Sequence, residues 1–283
     1  MMDFQGKIAL VTGGASGVGK AIGARLVTEG CRVILCDIDQ DRLDAAVSDT
    51  GAEDSFAVDV TKEHSVEHLA TKVFDKFGSL HLLFNNAGVG LGEVSRKIWT
   101  LPLNDWRWGM DVNVLGVVHG IKAFVPRMLA SDEECVVINT SSSNGGLRSL
   151  PNTPIYAATK AAVTSISEVL HQQLLREGGK VKAAVLFPGP NTVNTSIMAS
   201  NLVRPDDYAE GASREVAYRT MKELVEKTGL NIQLTEPSEV ADFAVNGIRE
   251  GRFWLLPESE TGDEMLRSRV DNILARSDPP SAW

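Results

Sequence analysis

The sequence predicts an α/β fold: a doubly wound parallel β-sheet of about seven strands, with helices on both faces, in a single domain. Three observations carry this expectation. Short apolar runs alternate with longer stretches of helical period along all 283 residues. The apolar runs are continuous, not alternating with polar residues, as strands buried on both faces require. The first run ends in a glycine-rich turn that opens a helix.

Taken in order, KIALVTGG (7–14) is a strand running into glycines. GVGKAIGARLVTEG (17–30) sets Ile22 and Leu26 on one helical face and stops at Gly30. CRVILCDID (31–39) is a second strand ending in acids, and DRLDAAVSD (41–49) is a short helix. SFAVDV (55–60) is the third strand, followed by a helix through EHSVEHLATKVFDKFG to Gly78. LHLLFNNAG (80–88) is the fourth strand, and a long helical region spans about 103–130. CVVINTSS (135–142) is the fifth strand. The helix holding Tyr156 and a sixth strand, KVKAAVLFPG (180–189), follow.

The stretch 190–235 breaks this rhythm. It is polar and carries Pro190 and Pro205, and it is expected to pass over the strand ends and cover the substrate. A helix near 237–249, a last strand in RFWLLP (252–257) and a closing helix near 262–276 complete the chain. No linker or repeat divides it.

Composition narrows the function classes. Hydrophobic content of 43% with 23% charged residues is that of an ordinary soluble globular protein. A formal charge of -9 argues against nucleic acid, which rewards a basic face. No apolar run suggests a membrane span, and the start lacks the layout of a secretory signal. Cys31, Cys36 and Cys135 lie in or beside strands without C-x-x-C spacing, as small core residues of a reducing compartment. A cytoplasmic location is expected. His64 and His68 share a helical spacing with no carboxylate-rich signature, so a solvated helix face and no metal site are expected.

Ligands of such sheets sit outside the carboxyl ends of the strands. The first strand ends in Thr12-Gly13-Gly14-Ala15-Ser16-Gly17-Val18-Gly19. There Gly13, Ser16, Gly17, Val18 and Gly19 are expected to bring the backbone and a helix N-terminus to a pyrophosphate. Asp37, 18 residues after Gly19 and followed by Ile38, suits the adenosine ribose hydroxyls and repels a 2′-phosphate. No Arg or Lys occupies the turn, so NAD is expected over NADP. Asp59 and Val60 close the third strand, and Asn86, Ala87 and Gly88 close the fourth. Singly, each is also what a plain turn presents. Four strand ends converging on one ligand argue for a Rossmann-type dinucleotide site.

TGGASGVG, NNAG, the Tyr156-x-x-x-Lys160 pair and Pro188-Gly189 together resemble the short-chain dehydrogenase/reductase family, in its compact single-domain branch. The likeness runs from about residue 5 to 190 and more loosely to 260. It implies a tyrosine acid/base for the alcohol proton while hydride passes to or from a nicotinamide. A free tyrosine, with pKa about 10, is a poor base near neutrality, and a nearby ammonium favours the phenolate. Lys160 lies one helical turn from Tyr156 on the same face. The resemblance also gives Lys160 the nicotinamide ribose.

A serine hydroxyl is needed to hold the substrate oxygen. The spacing of 13 residues to Tyr156 and the pattern Ser143-Asn144-Gly145-Gly146-Leu147 point to Ser143, whereas counting through Asn139 favours Ser142. Asn113, in DVNVLG, matches the family's helical asparagine that anchors a water leading to the lysine. Pro188 and Gly189 match the turn beside the nicotinamide. PGPNTVNTS then departs from the family pattern by two extra residues, leaving Thr195, or alternatively Thr192, for the carboxamide.

The resemblance implies an NAD-dependent alcohol dehydrogenase or ketoreductase acting on a small-molecule secondary alcohol or ketone. Family members assemble as homodimers or homotetramers through the regions 103–130 and 155–177. Ile197, Met198, Leu202, Val203 and Tyr208 suggest a partly apolar lid, and Trp99, Trp106 and Trp108 its entrance, so a medium or large hydrophobic substrate is expected. FVPRM (124–128) and RPDDY (204–208) resemble segments of bacterial dehydrogenases of benzylic alcohols. The alternatives are a catalytically silent NAD-binding regulator and an epimerase or dehydratase using bound NAD.

Overall fold

The computed structural model describes residues 2–94, 96–211 and 216–280. The first six apolar runs become strands β1 (Ile8–Thr12), β2 (Arg32–Asp37), β3 (Asp54–Ala57), β4 (Leu82–Asn85), β5 (Cys135–Thr140) and β6 (Val181–Leu186). Two-residue strands β7 (Thr192–Val193) and β8 (Leu234–Thr235) form a separate parallel ladder, and β9 (Trp254–Leu255) joins the main sheet. The helices are α1 (Gly17–Thr28), α2 (Gln40–Thr50), α3 (Glu63–Phe77), α4 (Leu103–Met110), α5 (Gly116–Ala130), α6 (Pro154–Arg176), α7 (Met221–Thr228), α8 (Pro237–Arg249) and α9 (Glu260–Ala275).

The main sheet has the order β3-β2-β1-β4-β5-β6-β9, with every pairing parallel. Each strand is apolar throughout because both of its faces are covered. Ala9 and Val11 of β1 join Val33 and Leu35 of β2 on one face, against Ile22 and Leu26 of α1 and Val240 and Ala244 of α8. Ile8 and Leu10 point the other way, with Ile34, Leu83 and Val137, against Leu69 of α3, Phe124 of α5 and Leu170 of α6. This is the two-residue alternation of a strand read on both sides. Each fully buried aliphatic or aromatic side chain contributes roughly 1.5–3 kcal/mol of transfer free energy. The single-domain, doubly wound α/β fold expected from the sequence is the fold observed.

The chain winds outward from β1 to β3, then returns to place β4 on the other side of β1. This reversal opens a crevice at the carboxyl ends of β1 and β4, the ligand position of such sheets.

The stretch Leu103–Ala130 is long and apolar enough to cross a membrane by length and composition. In the fold, Val117, Phe124, Val125 and Met128 bury its inner side against the sheet. It is continuous, as expected, but its turn widens to a π-helix over Asp111–Leu115, around Asn113. The three cysteines are buried and unpaired, and burial pushes Cys31 up to about 12 and Cys135 up to about 11. His64 and His68 lie exposed on α3.

Of the region 190–235, residues 212–215 lie outside the described residues, and the rest is more ordered than its composition suggests. It forms 3₁₀ turns at Ile197–Val203 and Asp206–Tyr208, and the second leans on α4. Arg204 is the anchor. Its Nη1 lies 2.7 Å from Asp105 Oδ1, its guanidinium sits 4.7 Å from the Trp108 ring centroid, and its Nε donates to Tyr208 O at 2.8 Å. Tyr208 in turn donates its hydroxyl to Asp111 Oδ2 at 2.8 Å.

Candidate active site

The turn after β1 is close-packed backbone. Gly13 has φ +65°, and a Cβ there would lie 2.9 Å from Ala87 Cα, while one on Gly19 would lie 2.2 Å from Gly13 O. Side chains at these positions would push the loop off the sheet end. Ser16 precedes α1 without a capping hydrogen bond from its hydroxyl, and the first helical turn carries no acid. The positive end of α1 therefore faces the crevice, suited to an anion.

Asn86 fastens this turn. Its Nδ2 donates to Thr12 O at 3.1 Å, and its Oδ1 accepts from the Thr140 hydroxyl at 3.2 Å. The Thr12 hydroxyl accepts the N–H groups of Asn86 and Ala87 at 3.0 and 3.1 Å. One amide thus ties the ends of β1, β4 and β5.

Asp37 stands at the end of β2, half-buried. Its Oδ2 accepts the Ala15 N–H at 3.2 Å and its Oδ1 the Ile38 N–H at 2.8 Å. Burial, the larger influence, raises its pKa, and these backbone donors oppose the rise. Asp59 turns inward on its own loop, Oδ1 accepting from the N–H and hydroxyl of Thr61. Both acids line one cavity of about 610 Å³, together with Val18, Ile38, Val60 and Gly88.

The same cavity reaches Tyr156 and Lys160 on α6. The Lys160 ammonium donates to Thr140 O at 2.8 Å and lies 5.6 Å from the Tyr156 ring centroid. Burial pushes the Lys160 pKa down to about 8. Burial likewise raises the Tyr156 hydroxyl above its ordinary value, and a hydrogen bond with Ser142 opposes the rise. The sequence suggested that the ammonium would pull Tyr156 down. Here loss of hydration is the larger effect.

Of the two serines that the sequence offered, Ser143 first and Ser142 beside it, Ser142 is the one that bonds the Tyr156 hydroxyl. The reason is strand alternation. Asn139 and Ser141 point to the body of α6, where they bond Ser167 and Thr164, while Thr140 turns to Asn86 and Ser142 to Tyr156 in the first turn of α6. Ser143 also lines the cavity, but it begins an irregular turn, Ser143–Leu147, in which the strand period has lapsed.

Asn113 is fully buried in the π-turn. Its Oδ1 accepts the Val89 N–H at 2.8 Å, and its Nδ2 donates to Val89 O and the Thr159 hydroxyl, both at 3.1 Å. It locks the loop after β4 to α6 one residue before Lys160. A Cβ on Gly88 would lie 3.4 Å from Asn113 Oδ1 and 3.5 Å from Lys160 Nζ, so the three sit together.

Pro188 and Thr192 line the cavity, and Gly189 turns the chain beside them with φ +139°. Thr195 is the threonine at the glycine turn: a Cβ on Gly17 would lie 3.2 Å from its methyl group. Of the expected lid, Ile197, Met198 and Val203 line the cavity. Leu202 is half-exposed, and Tyr208 points to Asp111 instead. Trp108 is buried and lines the wall, Trp106 packs against its cluster, and Trp99 is 77% exposed and takes no part.

Among the wall residues that the sequence did not single out are Glu93 and Arg148. Glu93 is an acid in the otherwise apolar and glycine-rich GVGLGEV, and that mismatch was the available signal.

A sequence model described as short chain dehydrogenase matches residues 7–203. The chain is 29% identical to a CLA biosynthesis dehydrogenase/reductase of Lactiplantibacillus plantarum, covering 99% of this chain and 97% of that one. It is 38% identical to the 1-deoxy-11-beta-hydroxypentalenate dehydrogenase of Streptomyces avermitilis, over 72% of this chain and 74% of the relative. Among solved structures, a short chain dehydrogenase/reductase from Burkholderia phymatum in complex with NAD superposes with a TM-score of 0.88 at 33% identity. That match covers 100% of this chain and 99% of the other.

Proposed function

The chain belongs to the short-chain dehydrogenase/reductase family, an oxidoreductase fold that binds a nicotinamide cofactor, and from that premise we propose that it interconverts a secondary alcohol and its ketone using NAD. The observation that carries this reading is the meeting of Ser142, Tyr156 and Lys160 in the cavity that begins at the glycine turn. Ser142 holds the substrate oxygen, and Tyr156, as phenolate, takes the hydroxyl proton. Lys160 favours that phenolate and holds the ribose, and Asn113 fixes the loop and helix around it. When bound, NAD supplies the hydride acceptor. Oxidation thus moves a hydride from the carbinol carbon and a proton to Tyr156, leaving the ketone.

Gly13, Ser16, Gly17, Val18 and Gly19 would hold the pyrophosphate, and Asp59, Val60, Asn86, Ala87 and Gly88 the adenosine side. Pro188, Gly189 and Thr195 would border the nicotinamide. Asp37, beside Ile38, supports NAD over NADP, since a carboxylate there opposes a 2′-phosphate. Ile197, Met198, Val203 and Trp108 give the substrate end apolar walls. They favour a medium to large hydrophobic substrate, benzylic alcohols included, with the region 190–235 as its cover. Leu103, Met110, Leu115, Val169 and Leu175 are exposed on the helices that would join a homodimer or homotetramer.

Appearance of reduced nicotinamide absorbance with a panel of secondary alcohols tests the proposal, with NAD and NADP run side by side. Turnover that prefers NAD and is lost in Tyr156→Phe supports it. Binding of NAD without turnover, identical in Tyr156→Phe, would leave the silent regulator. Conversion of substrate without net reduction of NAD would leave the epimerase.

A further inference from the structure

Arg148 follows the turn Ser143–Leu147, and its backbone is held on both sides, its own carbonyl accepting the Gly145 N–H at 2.5 Å. Its N–H donates to Ser143 O at 3.0 Å, and the carbonyl of Leu147 accepts from Nη1 of Arg269 on α9. The side chain is thereby delivered to the cavity wall, in company with Leu150, Asn152 and Tyr156. Its Nη1 is shut off from solvent with no acceptor, and no ion pair or side-chain hydrogen bond engages the guanidinium among the described residues. The other buried or half-buried arginines have acceptors, Arg269 the Leu147 carbonyl and Arg249 the carboxylate of Glu29. Arg204 has Asp105, and Arg25 has Glu29 and Asp242.

Burial lowers the Arg148 pKa, and nothing offsets it. A buried guanidinium nitrogen left without an acceptor is a standing cost, removed when an anion completes the site. Guanidinium geometry matches a carboxylate in two parallel hydrogen bonds. Arg148 lies at the end of β5, two strands over from the glycine turn at the end of β1, so it is remote from the pyrophosphate cradle.

We propose that Arg148 anchors a carboxylate carried by the substrate, so that the enzyme prefers keto and hydroxy acids to their neutral esters. The inference rests on the oxidoreductase reading of the same cavity. It is tested on the NADH complex by calorimetry with three keto acids (para-acetylbenzoate, meta-acetylbenzoate and laevulinate), each paired with its methyl ester. Hydrogen bonds to a charged group, at about 1.5–3 kcal/mol, translate to roughly 10- to 150-fold tighter binding of the preferred acid than of its ester. Arg148→Gln should collapse that ratio to about one while leaving ester affinity unchanged, and Arg148→Lys should retain part of it. Absence of acid preference in all three pairs, or equal losses for acid and ester in Arg148→Gln, would overturn the proposal. Binding preference without turnover would sink the oxidoreductase reading and leave Arg148 as the anchor.

Discussion

Glu93 holds Tyr156 by its backbone: Oε1 accepts the Tyr156 N–H at 2.8 Å, and Oε2 accepts that of Ile155 at 2.6 Å. Both donors belong to the first turn of α6, whose Thr153 hydroxyl makes no cap and whose Pro154 has no N–H. The carboxylate is 1% exposed, and it meets the positive end of the helix. Glu93 is therefore a positioning residue for the tyrosine.

Glu93→Ala should cost about 2 kcal/mol of stability in urea unfolding, the upper range for loss of a helix cap. It should lower kcat more than it raises KM for NAD, because the glycine turn is untouched. Glu93→Gln, which keeps one of the two acceptor oxygens and turns an amide N–H toward the other donor, should recover only part of kcat. A uniform loss of both parameters in both variants would mean Glu93 serves the fold alone.

Ser142→Ala should lower kcat by roughly 10²- to 10³-fold, the usual consequence of removing one donor to a developing oxyanion. Ser143→Ala should stay within a few-fold of the parent enzyme. Steady-state kinetics on one alcohol decides, and the reverse ranking would reinstate Ser143.

Lys160 titrates near 8 in the folded chain, below the ordinary lysine value of 10.5. Between those pH values the unfolded chain holds a proton that the folded chain lacks, so stability should rise with pH across this window. Tyr156 acts oppositely: its raised pKa makes stability fall once pH passes 10. Urea unfolding of Lys160→Met at pH 7 and pH 9 isolates the lysine. The variant should lose the rising limb and gain up to about 3 kcal/mol at pH 7. An unchanged slope would show that Lys160 is not depressed.

Arg204→Ala leaves the buried Asp105 with only the more distant Arg96, 3.8 Å away, and should cost about 3 kcal/mol, the lower end for breaking a buried pair. Arg204→Met, which restores packing over Trp108 but not charge, should be no better if the ion pair dominates. Recovery in Arg204→Met would assign the larger part to the stack. Thermal unfolding of the two variants separates the cases.

The layered sheet was legible because buried strands and amphipathic helices leave periods in the sequence, and the glycine turn because only that residue tolerates Gly13 and Gly19 as they pack. Tyr156 and Lys160 were legible because helix spacing is local. The serine was not, since a one-residue shift in where β5 ends reverses which hydroxyl faces inward, and the strand's end lies among three serines. Glu93 acts on a helix 63 positions away in the chain, beyond any local pattern. Arg204 looked like part of a loose polar stretch, because its partners Asp105 and Trp108 lie a hundred residues earlier.

The Asn86 tie across β1, β4 and β5 has an evolutionary corollary. The half of the cavity at the glycine turn is tied to the sheet, whereas the half beyond Tyr156 is walled in part by the segment that Arg204 anchors. Drift in the second half can therefore retune what is recognised without disturbing the redox partner. A graft of residues 190–211 from a relative should carry its acceptor preference only if the arginine and its aspartate travel together.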